Sequence, residues 1–148
     1  MTPLMKELAP KEADGVRALL ARDREEILAK CTQCGRCFEV CPMVPYGEHD
    51  LARQSPRDVA GSVLGILRDE PGSAAALEWV KICTKSGECD AHCPEAISPK
   101  MMLRLARIIA IGGMDPDKPP QLPLKDDPDY FNKVHAYARF SLSDAERA

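Results

Sequence analysis

The chain has 148 residues, enough for one domain with a real core and too few for two. Its net charge of −3 and 5% aromatic content exclude the basic field and the stacking platforms that nucleic-acid binding needs. No apolar run reaches the length of a membrane span and the first residues lack the order of a signal peptide, so no transmembrane segment and a cytoplasmic location are expected.

Residues 1–11 carry Pro3 and Pro10 and read as a loosely held arm. From Glu12 to Lys30 proline is absent and Ala, Leu, Arg and Glu dominate, which predicts a helix. Val16, Leu19, Leu20 and Ile27 share one face of it, with Arg22, Arg24 and Glu25 largely opposite. This helix leads straight into Cys31.

Residues Lys30 to Pro42 organise the rest of the chain. Cys31, Cys34, Cys37 and Cys41 stand at C-x2-C-x2-C-x3-C, and Pro42 follows at once. This is the bacterial ferredoxin run, in which three thiolates hold one iron–sulfur cluster and the fourth reaches a second one. Two intervening residues let the chain curl round a cubane and offer a sulfur to a different iron each time. Gly35 permits the close backbone approach of such a curl, and Pro42 turns the chain away after the last ligand. A structural zinc site pairs its cysteines as separated C-x2-4-C units, and the 2-2-3 spacing fits that poorly. The chain's seven cysteines, an odd number, also count against a complete disulfide framework.

Ser55-Pro56 is an N-cap followed by proline at the first helical position, and Val59, Val63, Leu64 and Leu67 then form an apolar stripe. Pro71-Gly72 ends the pattern, and Ser73 caps a short alanine-rich helix that runs through Trp79 and Lys81. Trp79 stands one helical turn before Cys83 and reads as packing for the cluster pocket.

The second cysteine group, Cys83-Thr-Lys-Ser-Gly-Glu-Cys89-Asp-Ala-His-Cys93-Pro94, repeats the first with one change. Aligned on Cys-Pro, the ligand positions are 83, 86, 89 and 93, and position 86 is serine. Crossed ligation assigns Cys31, Cys34, Cys37 and Cys93 to a [4Fe–4S] cluster, and Cys41, Cys83 and Cys89 to a second cluster with three thiolates. Three states of that second site are open, with [3Fe–4S] preferred. A fourth iron held by Ser86, Asp90, His92, water or substrate is the second, and an empty site the third. Ser86 is a weak candidate ligand, because its alkoxide is hard and its proton leaves reluctantly. Asp90 reads as a surface charge, His92 as an outer donor or solvent-facing residue, and His49 and His135 as surface residues.

Ser98-Pro99 opens a further capped helix to about Ile111, with Met101, Met102, Leu105, Ile108 and Ile109 on the buried face. Lys100, Arg104 and Arg107 read as its solvated face, and Gly112-Gly113 stops it. No alternating β-branched run of strand length occurs, so the fold class is all-α, an α-helical ferredoxin with clusters in loops between helices. The domain spans residues 1–112, with a cluster-ligating region at 31–94, and 113–148 is a proline-rich extension. In the extension, Asp115 to Pro128 should be extended. A short helix is predicted near Asp129–Arg139 with Tyr130, Phe131 and Tyr137, and Phe140 follows just past it. So many aromatics in a short piece point to docking.

The cysteine order resembles the C-terminal half of the succinate dehydrogenase and fumarate reductase iron–sulfur subunit. In that family the same missing cysteine accompanies a [3Fe–4S] centre. A short helical dicluster chain without a preceding [2Fe–2S] domain is also similar to the small dicluster iron–sulfur protein of heterodisulfide reductase and of the heterodisulfide-reductase-like complexes. This resemblance covers about residues 15–112 and implies an electron-transfer subunit placed between a flavin-containing subunit and a catalytic iron–sulfur subunit. Members usually keep eight cysteines, and Ser86 departs from that pattern. No acid, base or nucleophile constellation stands out, so no catalytic residue is assigned and the chain is expected to act as a non-catalytic electron carrier. The alternatives are an independent diffusible ferredoxin, or a catalyst using an open iron at Ser86 as a Lewis acid.

Overall fold

The computed structural model describes residues 10–115, 117–123 and 129–147, and every regular element among them is helical, as expected. Most of the expected N-terminal arm (residues 1–9) and part of the proline-rich stretch (116 and 124–128) lie outside the described residues, as does the side chain of Tyr130.

Helix α1 (Pro10–Lys30) begins two residues earlier than expected. Proline is tolerated there because the first turn leaves its N–H unbonded anyway. Only the C-terminal part of its apolar face packs. Ile27 is buried and Leu20 and Leu28 lie against the core, while Val16 and Leu19 stay exposed. Two short helices that the sequence pattern does not signal follow the central ligands of each cysteine run: α2 (Arg36–Glu39) and α5 (Glu88–His92). Between them lie two 3-10 turns, Val44–Tyr46 and Leu51–Arg53, then α3 (Pro56–Leu67) and α4 (Ala74–Ile82). Both predicted caps form. Ser55 Oγ accepts from Asp58 N at 3.4 Å and Ser73 Oγ from Ala76 N at 3.1 Å.

Helix α6 (Pro99–Ala110) is capped by Ser98, whose Oγ accepts from Met101 N at 3.1 Å. It lies chiefly against α3, also touches α1, α4 and α5, and α2 and α5 pack on each other. The core between these helices holds Val63, Ile66, Leu67, Trp79, Met102 and Leu105, all essentially without exposure. Leu103 and Ala106 join the buried face of α6, whereas Ile108 and Ile109 are only half-buried. Arg107, expected to face solvent, donates from Nη1 to the Lys81 carbonyl at 3.0 Å and so fixes the end of α4 just before Cys83.

Part of the extension is tied to this body. Gln121 N and Leu122 N both donate to the Ala110 carbonyl, at 2.7 and 3.0 Å, and Gln121 Oε1 accepts from Gly72 N at 2.7 Å. Helix α7 (Tyr130–Ser141) is longer than predicted and includes Phe140; a last turn, α8 (Asp144–Arg147), follows. Tyr137 and Phe140 on α7 are 73% and 92% exposed. Among the described residues, no helix is long and apolar enough to cross a membrane.

Ser98 also donates from Oγ to Asp90 Oδ2 at 2.9 Å, so one hydroxyl caps α6 and ties it to α5. Ser98→Ala is expected to lower stability by about 1–2 kcal/mol through the lost cap and the carboxylate left with one partner fewer. The unfolding midpoint in urea, compared with the unsubstituted protein, checks this.

Candidate iron–sulfur centres

The two cysteine runs fold alike, residue for residue. Gln33 and Gly35 take positive φ values of 58° and 79°, and the aligned Lys85 and Gly87 take 62° and 83°. Each left-handed pair flanks one ligand position, Cys34 in the first run and Ser86 in the second, and a short helix starts immediately afterwards, α2 at Arg36 and α5 at Glu88. Ser86 therefore occupies the backbone position of Cys34, and only its side chain breaks the repeat. Gly35 is needed twice over, since a Cβ there would also stand 2.6 Å from the Pro56 carbonyl carbon. Gln33 holds the first loop down by donating from Nε2 to the Arg57 carbonyl at 3.0 Å.

This folding places the thiols around two hollows. One, with about 360 Å³ of space between atoms including its open part, is bounded by Cys31, Cys34, Cys37 and Cys93. The other, with about 310 Å³ on the same measure, is bounded by Cys37, Cys41, Cys83 and Cys89, with Ser86 at its edge. Cys93 thus joins the first run, and Cys41 joins the second. Cys37 borders both hollows. Thr32 Oγ1 donates to Glu95 Oε1 at 3.4 Å and links the two chain segments that close the first hollow.

Exposure is graded around each site. Cys37 and Cys89 are buried, Cys31, Cys41, Cys83 and Cys93 are intermediate, and Cys34 is exposed. Ser86, at the position equivalent to Cys34, is exposed as well. The outermost corner is therefore a thiol in one site and a hydroxyl in the other. Ser86 Oγ accepts weakly from Glu88 N at 3.5 Å.

Of the three side chains considered for the fourth ligand of the second site, only Ser86 lines the hollow. His92 Nδ1 lies 2.9 Å from the Glu88 carbonyl and is exposed. Asp90 is not the surface charge expected from sequence. Its carboxylate is half-buried and accepts from Ser98 Oγ at 2.9 Å and Lys100 N at 2.9 Å, with Lys100 Nζ at 3.9 Å. It anchors α6 to the ligand loop, a role that depends on α6 packing back over α5 and has no local sequence signal. Lys100, read as solvated, lines the second hollow instead, with Lys85. His49 and His135 are exposed, as expected.

Burial dominates the electrostatics. It pushes the Cys37 thiol up to about 12 and the Cys89 thiol up to about 11, and it also raises Cys31. Neighbouring thiols add to the rise. Cys34 and Cys93 act on Cys31, while Cys83 and Cys41 act on Cys89, after its nearer partner Asp90. Backbone N–H groups oppose it: Gln33 N at Cys31, Phe38 N at Cys37 and, at the aligned position, Asp90 N at Cys89. Thiols brought together in a dry pocket resist ionisation unless a cation compensates them. Iron would supply that charge, and binding it would release protons.

The donor set fits sulfide-bridged iron. Four thiolates on a single zinc ion would gather within about 4 Å of one another. Among the described residues no three His, Cys, Asp or Glu side chains converge in that way; the thiols surround space. Thiolates and backbone N–H donors are the partners that iron–sulfur clusters use.

With the clusters removed, the sign of the pH effect follows from the raised thiols. An ordinary cysteine ionises near 9.0, whereas Cys37 in the folded chain holds its proton to about 12. The unfolded state therefore loses protons first, and stability that is complete below pH 9.0 declines as pH rises through the interval to about 12. Urea unfolding of the cluster-free chain at several alkaline pH values is expected to show this decline, and the loaded protein, whose thiols are already deprotonated, should lack it.

Comparison with known families bears on the same residues. A family model described as the 4Fe-4S dicluster domain matches residues 30–98, just under half of the chain, from the first cysteine run through the second. No curated protein and no solved structure matches. The cysteine runs, their two hollows and this match together support an iron–sulfur, ferredoxin-like reading of residues 30–98.

Proposed function

We propose that the chain is the electron-transfer subunit of an oxidoreductase complex of the heterodisulfide-reductase-like kind, relaying electrons through two iron–sulfur clusters. The sorting of the cysteines into two hollows, with Cys37 bordering both, carries this reading. Cys31, Cys34, Cys37 and Cys93 hold a [4Fe–4S] cluster, and Cys41, Cys83 and Cys89 hold the second. When bound, such clusters accept and donate single electrons.

The protein's own residues do the rest. Phe38 and Trp79, in edge-to-face contact with ring centres 5.1 Å apart, wall the interior against water. Backbone N–H groups at Gln33, Phe38 and Asp90 stabilise thiolate charge. Lys85 and Lys100 border the second hollow and favour negative charge there. Ser86 at the exposed corner supports [3Fe–4S] for the second centre, because an iron held there by hydroxyl or water faces solvent and is readily lost. Exposed Tyr137 and Phe140 on α7 favour a subunit over a freely diffusing carrier, with flavin-containing and catalytic iron–sulfur subunits as the partners. No side chains are assigned to bond-making chemistry.

Electron paramagnetic resonance of anaerobically purified protein, oxidised and then reduced, is expected to show two centres, one of them a [3Fe–4S] signal in the oxidised state. Ser86→Cys should replace that signal with one from a second [4Fe–4S] cluster on reduction; an unchanged spectrum would place the vacant ligand position elsewhere. Cys93→Ser should damage the cluster of the first run, despite lying in the second. Selective loss of the other centre would refute the crossed assignment.

A further inference from the structure

Trp79 is the chain's only tryptophan, and its side chain has no solvent exposure. It borders the second hollow together with Cys37, Cys41, Cys83 and Cys89. Its Nε1–H, a group that can only donate, is buried and has no hydrogen-bond acceptor among the described residues. An unmet buried donor is costly, and buried tryptophans usually place this group on a partner. Packing against Phe38 does not require the nitrogen, since the edge-to-face contact at 85° would serve a purely hydrocarbon ring as well. The acceptor that the site calls for is whatever occupies the thiol-lined space beside it.

We infer that Trp79 donates its Nε1–H to a sulfur of the cluster held by Cys41, Cys83 and Cys89, and thereby raises the reduction potential of that centre relative to its neighbour. The inference rests on the assignment of a cluster to these three thiols. Its physical basis is charge. Reduction adds an electron, much of which resides on sulfur, and a fixed donor stabilises the reduced state more than the oxidised one. Trp79 is in this sense a positioning and tuning residue of the electron path. The indole donor gives the two centres different surroundings, although their backbones repeat.

The test is Trp79→Phe in the full chain, with the midpoint of each centre followed by electron paramagnetic resonance in a redox titration. Losing one hydrogen bond of ordinary strength should shift the second centre's ratio of reduced to oxidised cluster about fivefold toward oxidised. That corresponds to a fall of about 40 mV for one electron, with the first centre unmoved. A role in packing alone would lower the melting temperature without a selective change in potential. Should the variant not assemble its clusters, the unsubstituted protein decides. Grown with tryptophan carrying nitrogen-15 in the indole ring, it labels Trp79 alone, and pulsed resonance on the paramagnetic second centre should reveal a coupled nitrogen-15 and an exchangeable proton. An unchanged midpoint with both clusters present, or an exchangeable proton without nitrogen-15 coupling, as a bridging water would give, overturns the inference and leaves the ligand assignment standing. Absence of the second centre by iron and acid-labile sulfide content overturns both.

Discussion

Buried thiols are the constraint on which this structure depends. Cys37 and Cys89 lie within the same contiguous core as Trp79, Val63 and Met102, so the interior of the domain is built partly from sulfur. Such thiols are neutral when the chain stands alone and charged only when iron shares their pocket. Folding and cofactor binding are therefore linked. A small helical domain has limited apolar surface to bury, and inorganic clusters in its two hollows would complete a core that side chains alone leave open.

The repeat shows how little sequence the ligand loops require. Thr32 and Thr84, the left-handed Gln33 and Lys85, and Gly35 and Gly87 correspond position by position, and a short helix follows each pair. What differs is the chemistry presented by that shared backbone. The first run carries Phe38 where the second carries Asp90, so one short helix feeds the aromatic core and the other anchors α6. Cys34 against Ser86 is the second difference, and it falls at the corner nearest solvent, where loss of a ligand disturbs the core least. Two sites of one geometry thereby acquire different surroundings.

Around this centre the long helices act as a frame. α3 and α6 pack on each other, α6 lends residues to the lining of both hollows, α4 brings Trp79 to the second one, and the extension returns far enough for Gln121 to bridge Gly72 and Ala110. Beyond it, α7 presents exposed aromatic side chains that add nothing to the core of the domain.

Much of this was legible from the sequence. The Ser-Pro and Ser caps, the apolar spacing of α3 and α6, and the cysteine intervals are local signals, carried by hydrogen bonds within three or four residues, and they placed the helices and the candidate ligands. The grouping of Cys93 with the first run was already expected from crossed ligation, and the tertiary structure supplied the packing of α2 on α5 that brings them together. It also turned Asp90 and Arg107 inward to bond atoms that are distant in sequence, and it left Val16 and Leu19 outside a core that their spacing fitted them to join. The physical reason is the same in each case. Periodicity states which faces are apolar, and cysteine spacing which residues can bind iron, whereas burial, and with it the raised Cys37 and Cys89 thiols and the unmet N–H of Trp79, exists only once separate segments enclose the same volume.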